Sequence, residues 1–261
     1  MNAQNKEIEM RTIRIVAAAI MIVAVGQSAV ALTVNEAQAI LTDLDDARNF
    51  EDSDFASVMR FTSEDPEEGV EQQVVQQFRR DGEDKFLMLI QQPTVQLGQG
   101  YLRVEDGLWF YDPESRQFTY TSLEEQFSGT DARNSDFGAS SYADDYRVTA
   151  VEEGTLGSYQ VYILDLEATS NEVTYPTERI WVTRDLYLPL KIESYSDAGR
   201  LLRTSLFPSY ARAGDNYIAT RMIFVDELIE GRRTQIELSE ISLSDIPDNV
   251  FSKAYVERVN R

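Results

Sequence analysis

Alternation of apolar and polar residues dominates the chain and predicts a β protein. Between Phe55 and Phe61 successive residues alternate between two sets, one for each face of a strand. A period of two residues is typical of a strand with one buried face. Such runs are separated by turn compositions, for example Asp81-Gly82 and Asp197-Ala198-Gly199. The predicted strands are residues 55–62, 70–80, 85–91, 101–104, 108–111, 118–123, 147–151, 160–168, 178–182, 190–196, 201–207, 217–225 and 233–243. About a dozen sequential antiparallel strands should form a strongly curved sheet.

Residues 101–123 form the clearest part of this pattern. The turn signals Glu105-Asp106-Gly107 and Asp112-Pro113-Glu114-Ser115 divide it into three short strands. The middle strand, residues 108–111, reads Leu-Trp-Phe-Tyr and is apolar on both faces. A strand with one face in water should alternate, so we expect other parts of the protein to cover both faces here.

Two terminal segments are predicted to pack on the sheet. Thr33 and Glu36 have the capping-box spacing and begin a helix that should extend to about Arg48. Its apolar stripe comprises Ala37, Ile40, Leu41 and Leu44. Near the other end, Phe251 and Tyr255 follow a proline, which indicates a C-terminal segment folded back on the sheet.

Residues 124–146 interrupt the strands with a polar stretch that is rich in Gly, Ser, Asn and Asp. A segment of this length inside a compact domain is usually a functional loop or a cover. We expect it to be mobile or to act as a cover, with few buried apolar contacts. Its aspartates, Asp131, Asp136, Asp144 and Asp145, fit no EF-hand spacing, so solvated carboxylates are favoured over a calcium site.

Composition argues against several classes of function. The 261-residue chain contains no cysteine and no histidine, so it lacks thiol nucleophiles, Ser-His-Asp triads and zinc ligands of the imidazole or thiolate type. We therefore predict no enzyme activity, no catalytic residue, no cofactor and no metal. The formal charge of −21, without a basic patch, argues against nucleic-acid binding.

The N-terminus has the features of an export signal. Arg11 and Arg14 precede an apolar run over residues 15–25, and Ala29-Val30-Ala31 supplies small residues for cleavage. An uncleaved membrane anchor is the alternative, but this run is shorter than the about 20 residues that span a bilayer. We predict a signal peptide at residues 1–31, with Met10 as an alternative start, and a single exported domain at residues 32–261.

Several motifs resemble the LolA-like outer-membrane lipoprotein-sorting family. Residues 105–113 (EDGLWFYDP), with Gln117 and Thr119, look like its DG-x-LWFYDP-x-x-x-Q-x-T signature. Further matching pieces follow in family order: residues 127–131 (FSGTD) with Asp136, residues 180–184 (IWVTR), 187–191 (YLPLK), 199–204 (GRLLRT), 233–236 (RTQI) and 246–251 (IPDNVF). Ala132 departs from the family, which commonly has an aromatic residue after the G-T-D motif.

The resemblance implies a half-open β-barrel covered by a few helices. It also implies a periplasmic carrier of lipoprotein acyl chains, or of another envelope lipid, with an inner-membrane transporter as a candidate partner and a monomeric state. An interaction or sensor module of the RseB type, which binds a membrane-protein partner and has a closed core, is the alternative from a different class.

A lipid cavity would be lined by large apolar or flexible side chains. The candidates are Phe61, Phe78, Met88, Trp109, Tyr111, Trp181, Met222 and Phe224. For any single one of them, packing in an ordinary core is favoured over lining a cavity. Alternation does not tell which face of each strand is concave, so the cavity interpretation depends on the resemblance.

Overall fold

The computed structural model describes residues 32–104 and 107–259. The predicted signal peptide, both candidate start codons and the Glu105-Asp106 part of the predicted turn lie outside these residues. Within them, no helix has both the length and the apolar content needed to span a bilayer.

Thirteen strands in the described residues form one curved, unclosed antiparallel sheet. They are β1 (Phe55–Asp65), β2 (Gly69–Arg80), β3 (Lys85–Gln92), β4 (Gly100–Val104), β5 (Gly107–Asp112), β6 (Gln117–Thr121), β7 (Tyr146–Leu156), β8 (Tyr159–Ala168), β9 (Thr177–Thr183), β10 (Pro189–Tyr195), β11 (Leu201–Ala213), β12 (Asn216–Asp226) and β13 (Arg233–Ser242). The predicted antiparallel sheet is confirmed.

The first strand of the chain, β1, lies in the middle of the sheet. The spatial order is β6-β5-β4-β3-β2-β1-β13-β12-β11-β10-β9-β8-β7, so β1 pairs with β13 and the two edge strands, β6 and β7, are consecutive in the chain. In the central pairing Phe61 lies opposite Ile236. The segment that joins β6 to β7 therefore connects the two edges of the open sheet.

Two predicted strands end well before the observed ones. The sequence places the end of the seventh strand at Val151, but β7 continues to Leu156 and turns at Gly157, whose φ of +59° suits glycine. Strand β11 continues past Pro208 to Ala213, with register shifts between Leu206 and Tyr210. Proline lacks a backbone N–H, and such an irregularity lets the strand continue past it.

The predicted N-terminal helix is confirmed as α1 (Val34–Arg48). The backbone N–H of Glu36 donates to Thr33 Oγ1 at 3.3 Å, and the Thr33 N–H donates back to Glu36 Oε2 at 2.8 Å, which completes the capping box. The apolar stripe, from Ala37 to Leu44, is buried against the sheet. Helix α1 contacts β7 and β12.

The two faces of the sheet carry separate apolar clusters. On the inner, concave face, residues from α1 and from strands of both halves pack together, among them Leu41, Phe61, Met88, Val148 and Ile236. On the outer face, Leu87, Leu102 and Tyr111 pack against Phe251 and Val256, the latter from helix α3 (Lys253–Val259). Both faces of β3 to β5 are therefore covered, as the doubly apolar strand and the C-terminal aromatics predict.

The segment between the edge strands, residues 122–145, is named the plug here. The prediction that it makes few buried apolar contacts is wrong, because Phe127 is fully buried and Phe137 nearly so, both in the inner-face cluster. The polar composition of the segment gave no indication that these two phenylalanines are buried. The segment ends in a short helix, α2 (Tyr142–Asp145), which contacts α1.

Candidate ligand-binding site

Aromatic rings of the plug occupy one part of the concave face. Phe127 stacks on Phe61 with ring centroids 5.3 Å apart and lies 4.6 Å from the ring of Tyr101. Phe137 packs 5.8 Å from Phe61 and 5.2 Å from Phe127. These contacts close the inner face beside β1 to β5, so this part of the half-barrel is filled.

Polar contacts hold the plug at two points. Near its middle, the Asp131 N–H donates to Thr234 Oγ1 at 2.9 Å, while the Thr234 hydroxyl donates to Asp131 Oδ2 at 2.9 Å. Burial raises the pKa of Asp131. Near its end, the Asp45 carboxylate of α1 accepts from the backbone N–H groups of Tyr142 and Ala143. The aspartate of the family G-T-D motif thus holds the plug on β13.

Next to the filled part lies a cavity of about 560 Å³. This volume is within the range that binds small ligands. It lies between the end of α1, the second half of the plug and strands β9 to β12. Apolar wall residues are Phe86, Val173, Ile192, Phe207, Met222 and Phe224. This part of the cavity wall is suited to an aliphatic chain, whereas charged and hydroxyl side chains line the remainder.

A buried carboxylate also lines this cavity. Glu178 on β9 is 5% exposed, and its two oxygens accept hydrogen bonds from Tyr142 Oη at 3.0 Å and Ser194 Oγ at 2.7 Å. Burial raises the pKa of Glu178 to about 7 against the lowering effect of these hydroxyls. Burial also raises the pKa of Tyr142 well above its ordinary value. Near neutral pH, Glu178 is therefore present in both its protonated and its ionised form.

A buried guanidinium lies on the same wall. Arg203 Nη2 donates to Asp136 Oδ2 of the plug at 2.7 Å, and the guanidinium lies 4.1 Å from the centroid of the Phe224 ring. Burial disfavours its charge, but Asp136 outweighs burial and raises the pKa of Arg203. This ion pair keeps Arg203 charged and joins the plug to β11.

The eight cavity candidates predicted from the sequence divide between the two faces. Met222 and Phe224 line the cavity, while Phe61 and Met88 lie in the inner-face core. The other four, Phe78, Trp109, Tyr111 and Trp181, point to the outer face. There Lys253 Nζ lies 3.2 Å from the Trp109 ring centroid and Lys191 Nζ lies 4.5 Å from that of Trp181. Because side chains alternate along a strand, these four cannot reach the concave cavity.

Sequence reasoning missed the polar members of the cavity, above all Glu178 and Arg203. A signal was present, because Glu178 has the same strand parity as the apolar Ile180 and Val182. A charged residue on an otherwise apolar face indicates a buried charge. Among the described residues, no group of three or more potential ligands could hold a metal ion.

The fold of the described residues, a large curved and unclosed antiparallel sheet, is similar to that of solved LolA-like structures. A LolA superfamily protein from Nitrosomonas europaea matches at TM-score 0.72 and 27% identity, over 84% of this chain and 98% of that chain. A domain described as outer membrane lipoprotein-sorting, from Vibrio parahaemolyticus, matches at TM-score 0.77 and 20% identity, over 87% and 100%. A DUF1329 family protein from Desulfovibrio piger ATCC 29098 matches at TM-score 0.75 and 20% identity, over 85% and 98%.

These likenesses define the class: the protein is LolA-like, as its motifs indicate. A family model described as "Uncharacterized protein" matches residues 82–258, more than half of the chain, and the chain belongs to that family. A comparison with curated proteins gave no match.

Proposed function

We propose that this protein is a non-enzymatic carrier that binds the acyl chains of lipoproteins, or of another envelope lipid, for transfer toward the outer membrane. The observation that carries the proposal is the cavity of about 560 Å³ on the concave face of a LolA-like sheet, whose wall is in part apolar and in part polar. Transfer of an aliphatic chain into such a cavity removes apolar area from water, at about 25 cal/mol per Å².

The location proposed for this function is the periplasm. This location is supported by the export signal predicted for residues 1–31, with cleavage predicted near Ala31 and a single mature domain predicted from Leu32. A monomer that receives its cargo from an inner-membrane transporter fits the LolA-like class.

The experiment is uptake of a fluorescent fatty acid, with displacement by lipoprotein. Ser205 lines the cavity and is 4% exposed, so Ser205→Leu should fill part of the space and weaken uptake. Ser209→Leu is the matched control, because Ser209 is an exposed residue of the same strand outside the cavity lining. Thermal unfolding of both variants separates loss of binding from loss of fold. Equal uptake by the two variants, both folded, contradicts the cavity assignment.

One observation favours the alternative class, an interaction module with a closed core. The plug already fills the concave face beside β1 to β5 with Phe127 and Phe137. If wild-type protein takes up no acyl probe, the closed-core interpretation replaces the carrier. A pull-down from envelope membranes with the mature protein as bait then identifies the membrane-protein partner.

A further inference from the structure

Among residues 32–104 and 107–259, four charged side chains that line the cavity have no ion-pair partner: Glu178, Arg48, Asp145 and Glu172. Glu178 is the most buried of them, and Arg48 is the one cation among the four. Glu178 accepts only from the hydroxyls of Tyr142 and Ser194. Arg48, at the end of α1, makes a 3.5 Å contact with Ser140 Oγ and lies over the Phe207 ring at 5.9 Å. In contrast, two other lining guanidiniums are paired, Arg103 with Asp84 and Arg203 with Asp136.

Glu178 and Arg48 border the same part of the cavity wall. Tyr142 donates to Glu178, and Ser140, two residues earlier in the plug, contacts Arg48. The charges of both Glu178 and Arg48 act on the Tyr142 hydroxyl. A carboxylate and a guanidinium thus contact the same short stretch of the plug, and the ring of Phe207 lies next to the guanidinium.

Aromatic rings surround the carboxylate end. The Tyr142 and Tyr146 rings stack with centroids 5.4 Å apart, and the Tyr146 hydroxyl donates to the carbonyl oxygen of Tyr175 at 3.1 Å. All three tyrosines line the cavity together with Glu178. A carboxylate flanked by aromatic rings is suited to an ammonium group, which gains both an ion pair and cation–π attraction.

We propose that the cavity binds a zwitterionic amphiphile of the phosphoethanolamine class. Its ammonium group pairs with Glu178 among the tyrosines, its phosphate with Arg48, and its acyl chain lies along Phe207, Met222 and Phe224. This inference rests on the proposed function and specifies the headgroup that accompanies the acyl chain. A buried carboxylate without a basic partner is costly, and a ligand ammonium removes that cost.

The groups facing Glu178 predict the effect of pH on binding. They are Ser194 on β10, Arg203 on β11, Tyr146 on β7, and Tyr142 and Asp136 of the plug. Arg203 is already paired with Asp136, so the ligand ammonium supplies the missing cation. An ammonium favours the ionised carboxylate, and affinity for the zwitterion should rise between pH 6 and pH 8.

Calorimetric titration of the full-length mature protein tests this assignment. The probe is a lysophosphatidylethanolamine below its micelle concentration, compared with a lysophosphatidylglycerol of the same chain length and with free phosphoethanolamine. Wild type should bind the ethanolamine lipid about tenfold more tightly than the glycerol lipid, the gain expected from one charged hydrogen bond. Glu178→Gln should abolish that preference and its pH dependence, and Arg48→Gln should weaken both lipids. Arg147→Gln is the control, since Arg147 is exposed on β7 and pairs with Glu167.

The possible results distinguish recognition of the headgroup from binding of the acyl chain. Equal affinity of wild type for the two lysolipids overturns the headgroup inference and leaves the acyl-chain carrier intact. Tight binding of free phosphoethanolamine shows that the ligand is a small zwitterion and overturns the amphiphile. Absence of binding by either lysolipid overturns this inference together with the proposed function. Thermal unfolding of Glu178→Gln confirms that a lost preference does not come from a lost fold.

Discussion

Replacement of Glu178 by glutamine should stabilise the protein at high pH. Burial raises the pKa of this carboxyl from 4.5 to about 7, and each pKa unit corresponds to about 1.4 kcal/mol. Below pH 4.5 the carboxyl is neutral in both folded and unfolded states, so it costs nothing. Above pH 7 the folded state must hold the buried anion, which costs about 3 kcal/mol. Stability contributed by the neutral carboxyl is therefore lost as pH rises from about 4.5 to about 7.

Urea unfolding of wild type and Glu178→Gln at pH 5 and pH 8 measures this cost. Glutamine keeps the shape of the side chain and can still accept a hydrogen bond from Tyr142 or Ser194. The variant should gain about 2 to 3 kcal/mol over wild type on going from pH 5 to pH 8, because a small part of the cost is already present at pH 5. Glu167→Gln, on the exposed surface of β8, is the control and should show little change. A difference between Glu178→Gln and wild type that is the same at both pH values refutes the reasoning.

Three other predictions concern stability, and urea unfolding measures each of them. Thr33→Ala removes the capping box of α1 and should cost about 1 kcal/mol, whereas the exposed change Thr42→Ala on the same helix should cost much less; equal effects contradict the capping role. Phe127→Ala empties the plug anchor against Phe61 and should cost about 3 to 5 kcal/mol; a loss below about 1 kcal/mol would show that the plug does not contribute to the core. Asp54→Ala removes two of the four hydrogen bonds of Arg80, which keeps Asp248 and the Ile246 carbonyl oxygen, and should cost about 1 to 3 kcal/mol; an unchanged stability contradicts a role of this pair in the fold.

Local signals predicted most of the fold. The strands followed from alternation and turn residues, and α1 from the Thr33–Glu36 capping pair. These features depend on residues only a few positions apart, so they can be predicted from short stretches of sequence. The pairing of β1 with β13 had no such signal, because it joins distant parts of the chain through backbone hydrogen bonds that any sequence can make.

The site was less accessible to sequence reasoning. Alternation separates two faces of a strand but does not identify the concave one, so Trp109 and Trp181 appeared as suitable as Met222 and Phe224. The plug appeared to be solvent-exposed because its backbone turns need polar residues, although Phe127 and Phe137 anchor it. Glu178 was overlooked because burial of a charge depends on the strands and the plug around it.

The strand order has a consequence for how the protein folds. Within β1 to β6, and within β7 to β13, each strand pairs with the next one in sequence across a short connection. Each half can therefore form by successive hairpin pairing, which loses little loop-closure entropy. The seam between β1 and β13 joins opposite ends of the chain and must wait until both halves exist. Until then, the edge of β1 around Phe61 is an unpaired apolar strand. The interval before the seam closes is therefore the stage at which aggregation competes with folding.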